Sequence, residues 1–258
     1  MTASDEIKRQ FGRMSRAYAN SPGHASDADL DLVIRYLNPM PDLKVLDVAT
    51  GAGHTACAVA PLVKEVVAID LTPEMIDRTL EQAKAKEITN LTGRVMDVEK
   101  LEFENESFDA VTCRIAPHHF RYMKKALSEI HRVLKVGGTF ILEDSCTPPD
   151  PELDMFINRV EKLRDHTHVR SYNETQWLRL LDDAGFSIIR RELFRKRHLV
   201  ADWLERAGLD RASEDKVYKA FAQASIADQQ FFEIKYDQNY RALSFCDDKL
   251  IARADKNS

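Results

Sequence analysis

Between residues 45 and 142, short apolar runs alternate with longer stretches in which apolar positions recur every three or four residues. The runs VLDVA (45–49), VVAID (66–70), LTGRVMD (91–97), FDAVTC (108–113) and TFILED (139–144) read as buried parallel strands. A helix is predicted from Thr72, with Thr72 as N-cap, Pro73 at the first helical position and Glu74 at the positive end of the dipole. Met75, Ile76, Thr79, Leu80 and Ala83 then fall on one apolar face. A second helix is predicted over 123–134, stopping before Gly137 and Gly138. Strands alternating with helices predict βαβ units and a doubly wound α/β sheet.

The flanks carry further elements. Helices are predicted over 5–19 and 26–37, separated by a breaker at 20–24 that holds Pro22 and Gly23. After the core, the pattern predicts a helix over 151–165 and another from a cap at Asn173 to Gly185. Strands follow at FSIIRRELF (186–194) and 244–252, with helices over 200–207 and 213–225 between them. FFEIKYD (231–237) alternates as a strand does and equally suits the end of a helix. No internal repeat or linker-like stretch interrupts the chain, so 1–258 reads as one domain.

Composition narrows the function classes. The chain has 37 basic and 42 acidic residues, a net charge of −5, which opposes a large phosphate-binding surface. Cys57, Cys113, Cys146 and Cys246 are scattered, with no C-x-x-C pair, and imply a reducing compartment. No apolar stretch approaches the ~20 residues of a membrane span, and MTASDEIKRQF lacks a signal-peptide run; a cytoplasmic protein is expected. Glycine is scarce, nine in 258 residues, so each has a positional reason to be there.

Two of the nine sit in VLDVATGAG (45–53), where a strand runs into a Gly-x-Gly turn and a helix opens near His54. Gly51 permits an unusual backbone angle and Gly53 a close ligand approach. Asp70, at the end of the next strand, is placed to accept the ribose hydroxyl protons of an adenosine. Gly51, Gly53 and Ala56 fit the dinucleotide fingerprint, so a nicotinamide oxidoreductase is one reading. Against it, Asp47 inside the first strand suits a ligand with a positive group nearby, and no Tyr-x-x-x-Lys pair is present.

The ordered set VLDVATGAG, AIDLT (68–72), RVMDVEKLEF (94–103), FDAVTCRIAPHHF (108–120) and HRVLKVGGTFILED (131–144) resembles the successive motifs of class I S-adenosylmethionine-dependent methyltransferases. Within that class the chain is similar to the small-molecule branch typified by the quinone-biosynthesis C-methyltransferases. The resemblance implies a Rossmann-like, seven-stranded, mostly parallel sheet whose last strand is antiparallel. It also implies an N-terminal helical lid (1–40), a cofactor-binding core (41–195) and a C-terminal helical insertion with the last strand (196–258). It places the loop from Asp47 through Ala49 and Gly51 to Gly53 around the methionine part of S-adenosyl-L-methionine, with Asp47 near the ammonium. Asp70 would hold the ribose and Leu71 the adenine face; Asp97 and Val98 would meet the adenine edge, and Arg114 the methionine end. Phe11 and Tyr18 would close over the cofactor. For Asp97 a plain turn cap, and for Arg114 a structural ion pair, are the competing readings.

The methyl acceptor is expected to be a small molecule, with no nucleic acid and either a monomer or a homodimer. His118 and His119 follow the fourth strand, on the edge where open α/β sheets bind ligands, and are candidates for a general base. They are not read as a metal site, because no third ligand is evident. The aromatics of 199–240 are read as core, and RRELFRKRH (190–198) as a solvated strand face. An RNA or protein methyltransferase and a non-catalytic cofactor-binding module are the remaining alternatives; the acidic charge and CRIAPHHF, in place of an Asn/Asp-Pro-Pro-Tyr box, oppose the first of these.

Overall fold

The computed structural model describes residues 28–257. The expected helix over 5–19, with Phe11 and Tyr18, therefore lies outside the described residues, as does the start of the next helix. From there the chain runs α1 (Ala28–Leu37), β1 (Lys44–Val48), α2 (His54–Val59), β2 (Glu65–Asp70), α3 (Pro73–Ala85), β3 (Leu91–Val95) and β4 (Phe108–Arg114). It continues through α4 (Met123–Val133), β5 (Leu134–Thr147), α5 (Pro151–Arg164), β6 (Tyr172–Asn173), α6 (Glu174–Asp183) and β7 (Phe186–Leu199). It ends with α7 (Val200–Glu205), α8 (Arg211–Ala222), α9 (Ile226–Phe231), β8 (Lys235–Tyr236) and β9 (Ala242–Lys256).

The main sheet has the order β3-β2-β1-β4-β5-β9-β7, with β6 added to β5 and β8 to β9. β9 runs antiparallel to both β5 and β7, while β1 to β5 are parallel neighbours. This is the expected doubly wound methyltransferase topology, with the last strand inserted between its two neighbours. The alternation of side chains along each strand splits the core. Leu46, Val111, Cys113 and Phe140 pack on one face with α4 and α6; Val45, Ala110 and Ile141 pack on the other with α1 and α2. A third cluster forms where Phe156 and Val160 of α5 meet Trp203, Phe221 and Phe245.

Several boundaries differ from expectation for identifiable reasons. β3 is an edge strand and largely exposed, not buried, and it stops at Val95, leaving Asp97 in the following turn. Leu80 is partly exposed because it sits at the margin of the α3 face, over Gly93. Thr72 does occupy the N-cap of α3 but its hydroxyl caps nothing; the Asp70 carboxylate takes the Thr72 N–H instead. α4 passes straight into β5 at Leu134, so Gly137 (φ 74) and Gly138 serve an irregularity in that strand rather than a helix cap. A Cβ at Gly138 would lie 2.8 Å from the Lys135 carbonyl oxygen. FFEIKYD resolves as both alternatives at once: α9 ends at Phe231, and Lys235–Tyr236 pairs with β9. The Asn173 cap is present as a full capping box with Gln176.

Candidate active site

The C-terminal ends of β1, β2 and β4 open onto a cavity of about 520 Å³. Ala49, Gly51, Asp70, Leu71, Asp97, Val98, Arg114, His118 and His119 all line it, so the structure brings nine of the twelve candidates to one cavity. Asp47 and Gly53 stand behind its wall, and Tyr18 lies outside the described residues.

The glycine loop owes its shape to backbone in the left-handed region. Gly51 (φ 56) and Gly53 (φ 85) adopt it freely. Ala49 (φ 51) after β1 and Ile115 (φ 52) after β4 adopt it at a cost of about 1–2 kcal/mol each. Hydrogen bonds hold these turns: Thr50 N–H donates to the Ile69 carbonyl at 2.9 Å and Ile115 N–H to the Glu143 carbonyl at 2.8 Å. The Thr79 hydroxyl of α3 donates to the Gly51 carbonyl at 3.0 Å, so a residue read as part of an apolar face pins the loop. A Cβ on Gly53 would lie 2.7 Å from Thr79 Cγ2, whereas one on Gly51 would meet nothing within 4 Å among the described residues. Gly53→Ala is therefore expected to destabilise the protein by about 2–3 kcal/mol, from backbone strain and overpacking together. Gly51→Ala should cost only the backbone share, about 1 kcal/mol; denaturant midpoints of the two variants, if equal, would contradict this.

Asp70 is buried at the end of β2. Its Oδ2 accepts the Gly51 N–H and its Oδ1 the Thr72 N–H, both at 2.9 Å, so it ties the glycine loop to the start of α3. Burial pushes its pKa up, and the backbone donors from Thr72 and Gly51 hold it down in part. Asp47 is deeper still. The Thr50 hydroxyl donates to its Oδ2 at 2.5 Å and the Thr112 hydroxyl to its Oδ1 at 2.6 Å. Burial nevertheless pushes its pKa to about 6. Its carboxylate thus braces the loop through two hydroxyls, one layer back from where a ligand ammonium would meet the wall. Asp97 Oδ1 accepts the Glu99 N–H at 2.9 Å, so the turn cap is real, and the side chain also reaches the cavity. Arg114 Nε donates to the Thr55 hydroxyl at 3.0 Å, and both residues face the cavity.

Beyond β4 the cavity is lined by a cluster of polar side chains, His118, His119, Asp165, His168 and Lys249 among them. His118 Nδ1 lies 2.6 Å from Asp144 Oδ1, and Asp144 Oδ2 accepts the His118 main-chain N–H at 2.8 Å. The His118 ring lies 4.2 Å from that of His119 and 5.5 Å from that of His168, centroid to centroid. His119 Nδ1 is 3.1 Å from Thr167 Oγ1, which donates to Asp165 at 2.6 Å. On the far side, Lys249 Nζ donates to Ser145 Oγ at 2.7 Å and to Asp247 Oδ2 at 2.9 Å; Asp247 Oδ1 also meets His198 Nε2 at 2.8 Å. Burial opposes the Lys249 charge, but Asp247 outweighs it and the pKa is raised.

The basic run of β7 is mostly paired to acids: Arg191 to Glu174, Arg195 to Glu233 and Asp248, Arg197 to Glu233, and Lys196 to Asp29. That is the expected solvated face, except that the strand's last four residues, Lys196 to Leu199, turn into the cavity wall.

Comparison with known proteins decides the family. The methyltransferase-domain family model matches residues 46–142. The uncharacterised methyltransferase YcgJ of Bacillus subtilis is 33% identical over 236 residues, covering 92% of this chain and 93% of YcgJ. This chain belongs to the class I S-adenosylmethionine-dependent methyltransferases. The crystal structure of YcgJ superposes with a TM-score of 0.85, covering 89% of this chain and 98% of YcgJ. A Bacillus halodurans structure described as a methyltransferase gives 0.87 at 33% identity, covering 90% of this chain and 100% of that one. A UbiE ubiquinone/menaquinone biosynthesis C-methyltransferase of a Geobacter strain is 39% identical over 114 residues, 42% of this chain and 48% of UbiE. Family membership sets aside the nicotinamide reading.

In this methyltransferase, reasoning from sequence missed the polar cluster. Asp144, Asp165, His168 and Lys249 come from β5, the end of α5, the loop after it and β9; Asp144 closes the HRVLKVGGTFILED motif without an expected role there, and nothing in their local sequence marks the other three. Trp203, read as core, is core and cavity wall together. All four cysteines are buried and free. No helix among the described residues is long and apolar enough to cross a membrane.

Proposed function

We propose that this protein transfers the methyl group of S-adenosyl-L-methionine to a small organic acceptor held beside it in the same cavity, acting in the cytoplasm. The observation that carries the reading is the continuity of the cavity. One wall presents the Gly51 loop, Asp70 and Asp97; the other presents the histidine cluster. The wall fits the cofactor's chemistry. Asp70 offers remaining lone pairs to two ribose hydroxyls, Leu71 an apolar face to the adenine, and Asp97 with Val98 an acceptor and a donor to its edge. Ala49 and Gly51 bring bare backbone to the methionine part, Arg114 stands beyond it, and Asp47 acts through Thr50 and Thr112.

When bound, the cofactor supplies an electrophilic methyl on a sulfonium, open to in-line displacement. The protein's part is to align the acceptor behind that methyl and to keep water out. A concave cavity of about 520 Å³ is of the size that takes a small acceptor. The net charge of −5 and the acid-paired β7 face point the same way.

S-adenosylhomocysteine at about 100 times its dissociation constant should stabilise the fold by about 2.7 kcal/mol, read as a rise in melting temperature. A wild-type protein with no rise overturns the cofactor reading. A screen of metabolites with labelled cofactor, the product identified by mass, tests the acceptor; salt-sensitive retention of RNA would count against a small molecule.

A further inference from the structure

The sequence left two adjacent histidines as candidate bases, and the structure separates them. We propose that His118 takes a proton from the acceptor, that Asp144 positions it for this, and that the acceptor is of the class that must surrender a proton to be methylated. The proposal rests on the methyl-transfer reading above.

The geometry sets the tautomer. Asp144 is buried, its side chain 1% exposed, and a carboxylate can only accept. With Oδ1 2.6 Å from His118 Nδ1, that nitrogen carries the hydrogen and Nε2 carries the lone pair. The second oxygen grips the His118 main-chain N–H, so ring and backbone are held by one group. His118 lines the cavity and Asp144 does not, as a base and the residue that orients it should.

The surrounding charges favour the imidazolium that proton transfer creates. Facing His118 are Asp144 from β5, Glu161 from α5 and Asp165 at its end, with His119 on the same turn and His168 on the loop after α5. Burial opposes the charged ring, but Asp144, then Glu161 and Asp165, outweigh it and raise the His118 pKa. His119 is the opposite case: burial first, then its neighbour His118, push its pKa to about 4, too weak a base to act at neutral pH. His168, depressed for the same reasons and 3.0 Å from Asn158 Oδ1 through Nε2, is excluded likewise.

The step balances. The acceptor's O–H or N–H proton passes to His118 Nε2. The freed electron pair forms the bond to the methyl carbon as the carbon–sulfur bond breaks, its electrons going to sulfur. His118 then loses the proton to solvent. Acceptors with no proton to lose, such as tertiary amines and thioethers, have no use for this pair.

The test supplies labelled cofactor with two panels, one of phenols, enols and N–H heteroaromatics, the other of tertiary amines and thioethers. Label is expected in the first panel only. In that reaction His118→Gln should lower kcat about 10²- to 10⁴-fold. Asp144→Asn should lower it at least about tenfold, because an amide donating to Nδ1 forces the proton onto Nε2. It should also move the acid limb of the pH–rate profile to lower pH, with Asp144→Glu recovering part of the loss. None of the three should abolish the melting shift with S-adenosylhomocysteine. Label in the second panel only, or in neither while that shift is intact, overturns the proposal, as does an Asp144→Asn pH profile identical to wild type. Loss of the shift in the wild type overturns the cofactor reading instead.

Discussion

Asp70→Ala is expected to abolish the response to S-adenosylhomocysteine almost completely. The carboxylate would hold two ribose hydroxyls by charge-assisted bonds worth about 1.5–3 kcal/mol each. Losing both weakens binding a hundredfold or more. At the concentration that stabilises the wild type by about 2.7 kcal/mol, a hundredfold weaker complex gains only about 0.4 kcal/mol. The variant loses more than a ligand contact, because Asp70 also accepts the Gly51 and Thr72 N–H groups. Leaving these two buried donors unpaired should cost about 1–3 kcal/mol in the unliganded protein. Asp70→Asn is not a mild control, since one end of its amide must face an N–H donor. Melting curves with and without S-adenosylhomocysteine check both effects; an Asp70→Ala protein with the full wild-type shift would falsify the assignment of Asp70 to the ribose.

The role proposed for Asp70 and the hydrogen bonds observed at it show what sequence could and could not convey. Position in a motif marks Asp70 because the strand–turn–helix order is local and periodic. Its tie to the Thr72 N–H is less visible in the sequence, where Thr72 reads as an N-cap whose hydroxyl makes no capping bond in the structure. The core strands were legible for the same reason: β1, β2, β4 and β5 are buried on both faces, so their apolar runs are nearly continuous. β3 and β7 lie at the sheet edges, where exposure breaks that signal. The part of the cavity lined by Gly51, Asp70 and Asp97 comes from loops directly following strands and so follows motif order. The cluster around His118 does not. Asp144, Glu161, His168 and Lys249 are gathered by the antiparallel insertion of β9 beside β5 and by the docking of α5, contacts made over roughly a hundred residues of sequence in the case of Ser145 and Lys249. His118 could be suspected as a base; that Asp144, and not a nearer residue, orients it is a tertiary fact.

Glu143→Gln is expected to make the protein more stable at pH 8 by up to about 3 kcal/mol, with little change near pH 4.5. Glu143 lies on β5 beside Arg114 of β4, is 0% exposed, and has no hydrogen-bond partner among the described residues at either carboxyl oxygen. Burial pushes its pKa to about 7; the charges of Arg114 and Lys249 pull downward, and those of Asp29 and Asp144 upward. The unfolded chain has a pKa near the ordinary ~4.3, so between that value and 7 the folded protein holds a proton that the unfolded one has released. Stability from this group is therefore complete at low pH and lost as pH rises through 7. A shift of this size corresponds to about 3 kcal/mol at its limit. Glutamine has the shape of the protonated acid and no charge to desolvate, so the loss disappears. Measuring denaturant midpoints of both proteins at pH 4.5 and pH 8 isolates the effect, because the other titrating groups are common to both. If the difference between the two proteins is the same at both values, the carboxyl does not titrate as its burial requires. The expected gain also bears on function. A buried acid that weakens the fold at neutral pH, beside an arginine that lines the cavity and that we propose meets the methionine end of the cofactor, fits the general pattern in which stability is given up near a reacting centre. Glu143→Gln should then stabilise the fold without improving cofactor affinity, and the same melting series with S-adenosylhomocysteine reads both quantities.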